Sequence, residues 1–440
     1  MLRRTVTAAA LDKLRAASHN LTGSVADYDP LMELIGDSRI VLLGEASHGT
    51  AEYYRERARI TRRLVEEKGF NFVAVEGDWP DCYEVNSYVK GRSSHRDARE
   101  VLHGFHRWPT WMWANWEIVE LAEWLRQHND GREEAGKVGF YGLDVYSLRD
   151  SMTAVVDYLD RTDRDAANRA RAAYACFDPY NYGEDVEGYA WSTLYMSDSC
   201  EDEVVRILSS LRSNPAPATP DDPEAAFNAE QNALVALNAE SYYRAMVRPD
   251  DNSWNVRDTH MMETLERLLE RHGSGAKAVV WEHNTHIGDA RYTDMARAGM
   301  VNVGQLARER LEDAGVVLVG FASHRGSVIA GSAWGAPMRS MPVPEAQAGS
   351  WEDLLHRQSD HDRIIMLRDL ADEPDLQDPL GHRAIGVVYD PRAERRGNYV
   401  PTVLPRRYDA LVYLDETRAL NPLHPVVDDD QMPDTYPWSV

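Results

Sequence analysis

Short apolar runs bounded by turn residues recur along the chain at Ile40–Leu43, Phe70–Val75, Val138–Tyr141, Ala278–Trp281 and Val316–Phe321. Runs of that length, with no polar alternation, read as strands buried on both faces. Helical periodicity fills the spaces between them; Ala51 to Glu67 is the clearest case, and Gly69 stops it. Strands joined by helices predict an α/β fold with a mostly parallel central sheet flanked by helices. Residues 1–36 read as one or two helices ending near Gly36.

From 149 to 272 the pattern is helical almost throughout. Val204, Val205, Ile207, Leu208 and Leu211 have amphipathic spacing, and a long helix is predicted from Glu224 to Val247. Ser213 to Pro223 holds four prolines and reads as a loop. This block predicts a helical insertion, or lid, between two parts of the sheet core at 1–148 and 273–330. Gly326–Gly335 reads as a small-residue loop. Ala384–Tyr389 and Ala410–Tyr413 read as strands of a small α+β subdomain or sheet extension at 331–427. The stretch 428–440 opens on Asp428-Asp429-Asp430, has no periodicity, and reads as a mobile acidic tail.

At 440 residues the chain exceeds what one core usually holds. Its net charge of −24 would repel a phosphate backbone, which excludes nucleic acid as the expected partner. No stretch of about 18 apolar residues exists to span a membrane. Asp12 and Lys13 interrupt the apolar run after Arg3-Arg4 too early for a signal peptide, so the expectation is a soluble cytoplasmic protein. Cys82, Cys176 and Cys200 are too few and too scattered for a disulfide framework or a thiolate metal site.

The candidate chemistry gathers where the predicted strands end. Glu45 and His48 follow the first, Glu76 and Asp78 close the second, and Asp144 closes the third. Glu282, His283, His286 and Asp289 follow the fourth. That edge of an open α/β sheet is where ligands bind, and a carboxylate three residues from an imidazole makes an acid/base pair. His283 and His286 suit a metal, acid/base work or oxyanion stabilisation.

Two near-motifs fail. Gly44–Gly49 is one residue too long for a nucleophile elbow, so Ser47 is a poor nucleophile. Gly131–Val138 lacks the Ser or Thr of a P-loop, carries Glu133 and Glu134, and precedes a strand. Five of the twelve tryptophans fall between 103 and 124, where packing and a pocket wall are both open readings. Arg57 stands two helical turns beyond His48, whereas Arg257 and His260, taken singly, read as structural.

Eight segments, taken together and in order, resemble the erythromycin esterase family, which includes proteins labelled succinoglycan biosynthesis proteins. They are Leu43–Thr50 (LGEASHGT), Ala74–Asp78, Pro109–Trp113, Gly142–Asp144, Tyr242–Met246, Ser253–Asp258, Trp281–Asp289 (WEHNTHIGD) and Asn302–Leu306. The resemblance covers about residues 30 to 420. It implies a metal-independent or weakly metal-sensitive hydrolase in which His48 activates water to open an ester or macrolide lactone, with Glu45, Arg57, Glu76 and His283 as accompanying catalytic positions. Substrate contacts are expected from His286, Asp144, Trp111, Trp113, Asn115 and Arg257. No cofactor and no metal ligand is expected, and the partner is a small-molecule ester or lactone. Two competing readings are a zinc or manganese hydrolase built on the same histidines and glutamates, and a binding protein whose tryptophans hold a hydrophobic small molecule.

Overall fold

Hydrophobic alternation along four adjacent strands fixes the two faces of the central sheet. In β2 (Ile40–Leu43), Ile40 and Leu42 join one apolar cluster while Val41 and Leu43 join the other. β3 (Phe72–Asp78), β5 (Ala278–Trp281) and β6 (Val316–Ala330) divide their side chains in the same way. Both faces are therefore covered, as continuous apolar strands require, and each fully buried Val or Leu contributes about 1.5–3 kcal/mol.

The computed structural model describes residues 6–183, 186–195, 199–213, 222–248 and 252–424. The remaining strands are β1 (Ser18–Asn20), β4 (Gly139–Asp144), β7 (Arg339–Val343), β8 (Arg363–Met366), β9 (Leu380–Arg383), β10 (Tyr399–Thr402) and β11 (Ala410–Thr417). The main sheet runs β1-β8-β11-β6-β2-β5-β3-β4, with β7 on β6, while β9 and β10 form a separate pair. From β11 to β4 neighbouring strands are parallel; β1, β8 and β7 pair antiparallel. This is the mixed α/β fold expected.

Several local expectations change. Ser18–Asn20, read as helical surroundings, is an edge strand on β8. Gly326–Ala330, read as loop, continues β6 and pairs with β7. Ala384–Tyr389 is not a strand: its backbone meets Ala46 at one point and Gly331 at another. Lying between two different segments, it cannot build a ladder with either. Cys176 and Cys200, read as too scattered for a disulfide framework, form a disulfide across 24 residues, with Cα atoms 5.9 Å apart. Tertiary packing brought them together where spacing gave no pattern.

Helices Leu148–Thr162, Arg164–Tyr174, Glu201–Ser213 and Ala225–Met246 pack on one another around a separate apolar cluster. Helix Ser253–His272 instead buries Met261, Met262, Leu265 and Leu268 in the cluster on the sheet. Most of the proline-rich loop and all of the acidic tail lie outside the described residues. Among the described residues no helix is long and apolar enough to cross a membrane.

Candidate active site

The parallel register places β2, β5, β3 and β4 side by side with their carboxyl ends level. Leu43 stands beside Trp281, Val75 beside both Trp281 and Gly142, and Asp78 beside Asp144 after a shift in register. The loops that follow inherit that alignment. The Asn284 amide donates to the Glu45 carbonyl at 2.8 Å, and a Cβ on Gly44 would overlap Asn284 Oδ1. Close approach of the two loops therefore requires glycine at 44.

Glu45 is fully enclosed and has two partners. One oxygen lies 2.9 Å from His48 Nδ1 and the other 2.6 Å from Arg57 Nη2. A carboxylate only accepts, so the shared proton belongs to Nδ1, and in the neutral imidazole Nε2 of His48 carries the lone pair. Arg57 comes from helix Ala51–Lys68 with its guanidinium over Tyr54 and Trp281, 4.3 and 4.6 Å from the ring centroids.

Glu76 links the remaining groups. Oε1 lies 3.9 Å from His48 Nε2, 3.4 Å from His286 Nε2 and 2.7 Å from Arg257 Nη2, while Oε2 accepts from the His283 amide at 2.7 Å. Burial alone would raise its pKa, but the charges of His286, His48 and Arg257 outweigh burial and hold it well below the usual carboxylate range. Arg257 also grips Asp144 through Nε at 2.9 Å and Nη2 at 2.7 Å. Burial opposes ionisation of Asp144 too, and this bidentate contact reverses it, leaving its pKa lowered.

The two histidines of the second loop differ in state. Burial and the neighbouring His48 hold the pKa of His283 well below its ordinary value. Its Nδ1 accepts from the Thr285 amide at 3.3 Å as the cap of a short helix and lies 2.8 Å from the Thr285 hydroxyl, so Nε2 carries the proton and has no hydrogen-bond partner. His286 is stacked on Trp254, with centroids 4.5 Å apart, and its Nδ1 lies 3.0 Å from both oxygens of Asp258. Burial disfavours its charged form, but Asp258 and Glu76 prevail against burial and Arg257 and push its pKa up to about 10. In either state Asp258 keeps a proton on Nδ1. Glu282 is buried with both carboxyl oxygens unpartnered, and desolvation raises its pKa well above normal.

A cavity of about 500 Å³ opens onto these groups, with His48, Glu76, Asp144, Arg257, His283 and His286 in its wall. The apolar wall includes Trp108, Trp113, Tyr146, Tyr242, Trp254 and Trp334. Thus His48, Glu76, His283, His286, Asp144, Trp113 and Arg257 converge. Glu45 and Arg57 stand behind them. Two expected substrate contacts are corrected. Trp111 is wholly inside the apolar core. Asn115 is buried as the cap of helix Trp116–Asn129, accepting from the Ile118 amide and donating to the Trp111 and Met112 carbonyls. Both sit in the aromatic segment that forms the wall, but their side chains point the other way.

Sequence reasoning missed Asp258, although it adjoins Arg257; a second charged residue on the same helix turn was the available signal. Trp254 lies in the same Ser253–Asp258 segment and was also missed, whereas Tyr146 and Trp334 come from separate segments and carried no local signal. Among the described residues no group of three or more His, Cys, Asp or Glu side chains is arranged to hold a metal ion. The Arg257 guanidinium fills the space between Glu76 and Asp144 where a cation would find carboxylates.

A family model described as erythromycin esterase matches residues 65–417. An erythromycin esterase type II of Escherichia coli is 23% identical over 293 residues, 59% of this chain; the chain thus spans 63% of that relative's length. A putative hydrolase, YbfO, of Bacillus subtilis is 20% identical over 88% of this chain and 85% of its own. Among solved structures, a succinoglycan biosynthesis protein superposes with a TM-score of 0.74 at 20% identity, covering 93% of this chain and 97% of that one. A mutant of the erythromycin esterase EreC in its open conformation gives a TM-score of 0.65 at 17% identity, over 90% and 94% of the two chains. At those identities the structural likenesses establish the fold.

Proposed function

Because the chain belongs to the erythromycin esterase family, we propose that it is a hydrolase that cleaves an ester or lactone of a largely apolar compound, macrolide rings included, with His48 as general base. The observation that carries this reading is the position of His48. It lines the cavity with Nδ1 bonded to Glu45 and Nε2 directed towards the Glu76 side of the pocket.

Nε2 takes a proton from water as the water oxygen bonds to the carbonyl carbon. Glu76, held ionised, stabilises the imidazolium that forms. His283, a neutral residue of the cavity wall whose buried Nε2–H has no other partner, donates to the tetrahedral oxyanion. Collapse breaks the bond between the carbonyl carbon and the alkoxide oxygen, and the proton on His48 passes to that oxygen. Arg257 and Asp258 orient Glu76 and His286, and the aromatic wall accommodates an apolar ligand.

The test is mass spectrometry of substrate panels of macrolides and simple esters, incubated with the protein and with His48→Ala. A positioned base contributes about 10²–10⁴-fold, so the variant should add water to no compound at a comparable rate. Equal turnover by the two proteins would remove His48 from the mechanism.

A further inference from the structure

The segment Tyr242–Met246 closes helix Ala225–Met246, and its first two residues both reach Tyr146, 96 and 97 positions earlier in the chain. The Tyr243 hydroxyl donates to the Tyr146 carbonyl at 2.8 Å, and the Tyr242 hydroxyl lies 3.4 Å from that of Tyr146. The rings of Tyr242 and Tyr146 meet edge to face, with centroids 5.3 Å apart. Adjacent helix positions point about 100° apart, so the two phenols take Tyr146 from different sides. The apolar cluster of the helical block accounts for the rings. It does not account for two neighbouring hydroxyls that both bond to one residue.

Tyr146 follows Asp144 by two residues, between β4 and helix Leu148–Thr162, and it lines the cavity. The Arg257 guanidinium lies over its ring, with Cζ 4.8 Å from the centroid. Carboxylates hold the edge of that guanidinium: Glu76 takes Nη2 at 2.7 Å, and Asp144 takes Nε and Nη2. Bonds along the edge fix a planar fork within its own plane, and contact on its face stops it from tilting. Tyr146 supplies that face, and a cation over a ring is itself attracted. The place of Arg257 matters to Glu76. Burial opposes ionisation of that carboxyl, and the charges of His286, His48 and Arg257 overcome it.

We propose that Tyr146 is a positioning residue for the hydrolysis: held at its hydroxyl by Tyr242 and at its carbonyl by Tyr243, it packs on the face of Arg257 and so keeps Glu76 in place beside His48. Through Tyr243, which does not line the cavity, the helical block acts on the site without touching substrate. The inference rests on the reading that Glu76 serves His48 in ester hydrolysis.

Two measurements test it. The first follows hydrolysis of p-nitrophenyl butyrate by the protein, Tyr146→Leu, Tyr146→Phe and Tyr243→Phe. Tyr146→Leu keeps apolar bulk but no ring face, so kcat should fall roughly tenfold with KM little changed. The acid limb of its kcat/KM should move to higher pH as positive charge recedes from Glu76. Tyr146→Phe, which keeps the ring, should retain most of kcat and the pH profile. Tyr243→Phe should lower kcat about threefold, the worth of one hydrogen bond. An unchanged kcat in Tyr146→Leu, a loss confined to KM, or an equal loss in Tyr146→Phe would overturn the assignment.

The second compares urea midpoints of Tyr146→Leu, Arg257→Lys and the double variant. Lysine keeps the charge but offers no planar face, so loss of the ring should cost less in its presence. Equal costs in the two backgrounds would overturn the contact whether or not the ester is hydrolysed. Failure of ester hydrolysis and failure of the Tyr146 role are therefore separate results. If Tyr146→Leu does not fold, Tyr243→Phe takes its place in both measurements.

Discussion

Arg57 Nη2 lies 2.6 Å from Glu45 Oε2, and neither residue belongs to the cavity wall. The pair acts on the site through His48, whose Nδ1 it anchors. Two charges this deeply enclosed depend on each other, because removing one leaves the other buried without compensation.

Arg57→Met should therefore destabilise the fold by about 3–5 kcal/mol, read as a lower urea midpoint. Adding Glu45→Gln removes the stranded charge and should recover part of that loss. Simple additivity of the two substitutions would show that the pair is not coupled.

Asp258→Asn should uncouple His286 from its anchor. Removing that negative charge lowers the affinity of His286 for its proton, which Asp258 and Glu76 now raise. The alkaline limb of kcat/KM should move to lower pH, and turnover should fall by on the order of 10²-fold, the lower range for a positioned acid/base group. An unchanged pH profile would leave Asp258 with a packing role only.

Glu224 ties the helical layer to the sheet: Lys90 Nζ and Arg92 Nη1 each lie 3.0 Å from it, and the Tyr141 hydroxyl donates at 2.8 Å. Burial would raise its pKa, but Lys90 and Arg92 reverse this and bring it down to about 2, against about 4.3 when unfolded. A depressed pKa contributes stability above the unfolded value and loses it as pH falls through the folded one. The stability gap between the protein and Glu224→Gln, read from urea midpoints, should thus be widest near pH 7 and narrow from about pH 5 towards 2. Lys90 is itself lowered because burial outweighs the same contact, so the acid limb is the informative one. A gap independent of pH would disprove the linkage.

Thiol titration tests the Cys176–Cys200 bridge. In denaturant without reductant, one thiol per chain, that of Cys82, should react; after reduction all three should. Closing a loop of this length contributes about 3 kcal/mol, so Cys200→Ser should also lower the midpoint. Three reactive thiols before reduction would exclude the bridge.

The sequence by itself determined the parallel core and the chemical edge. Ile40–Leu43, Phe72–Val75 and Ala278–Trp281 have the apolar length of doubly covered strands, and Glu45, Glu76, Asp144 and His283 follow strand ends, which parallel topology aligns on one side. Periodicity reports which residues face a core, but not which core or which neighbour. Only the tertiary structure decided that Arg57 backs Glu45 instead of lining the cavity, that Trp113 faces the cavity while Trp111 and Asn115 turn inward, and that Asp258 and Trp254 hold His286. It also joined Cys176 to Cys200 and kept Ala384–Tyr389 out of any ladder. Apart from the local cap bonds of Asn115, these depend on contacts between separate segments of the chain, where side-chain direction and partner are set by packing and leave no local pattern to read.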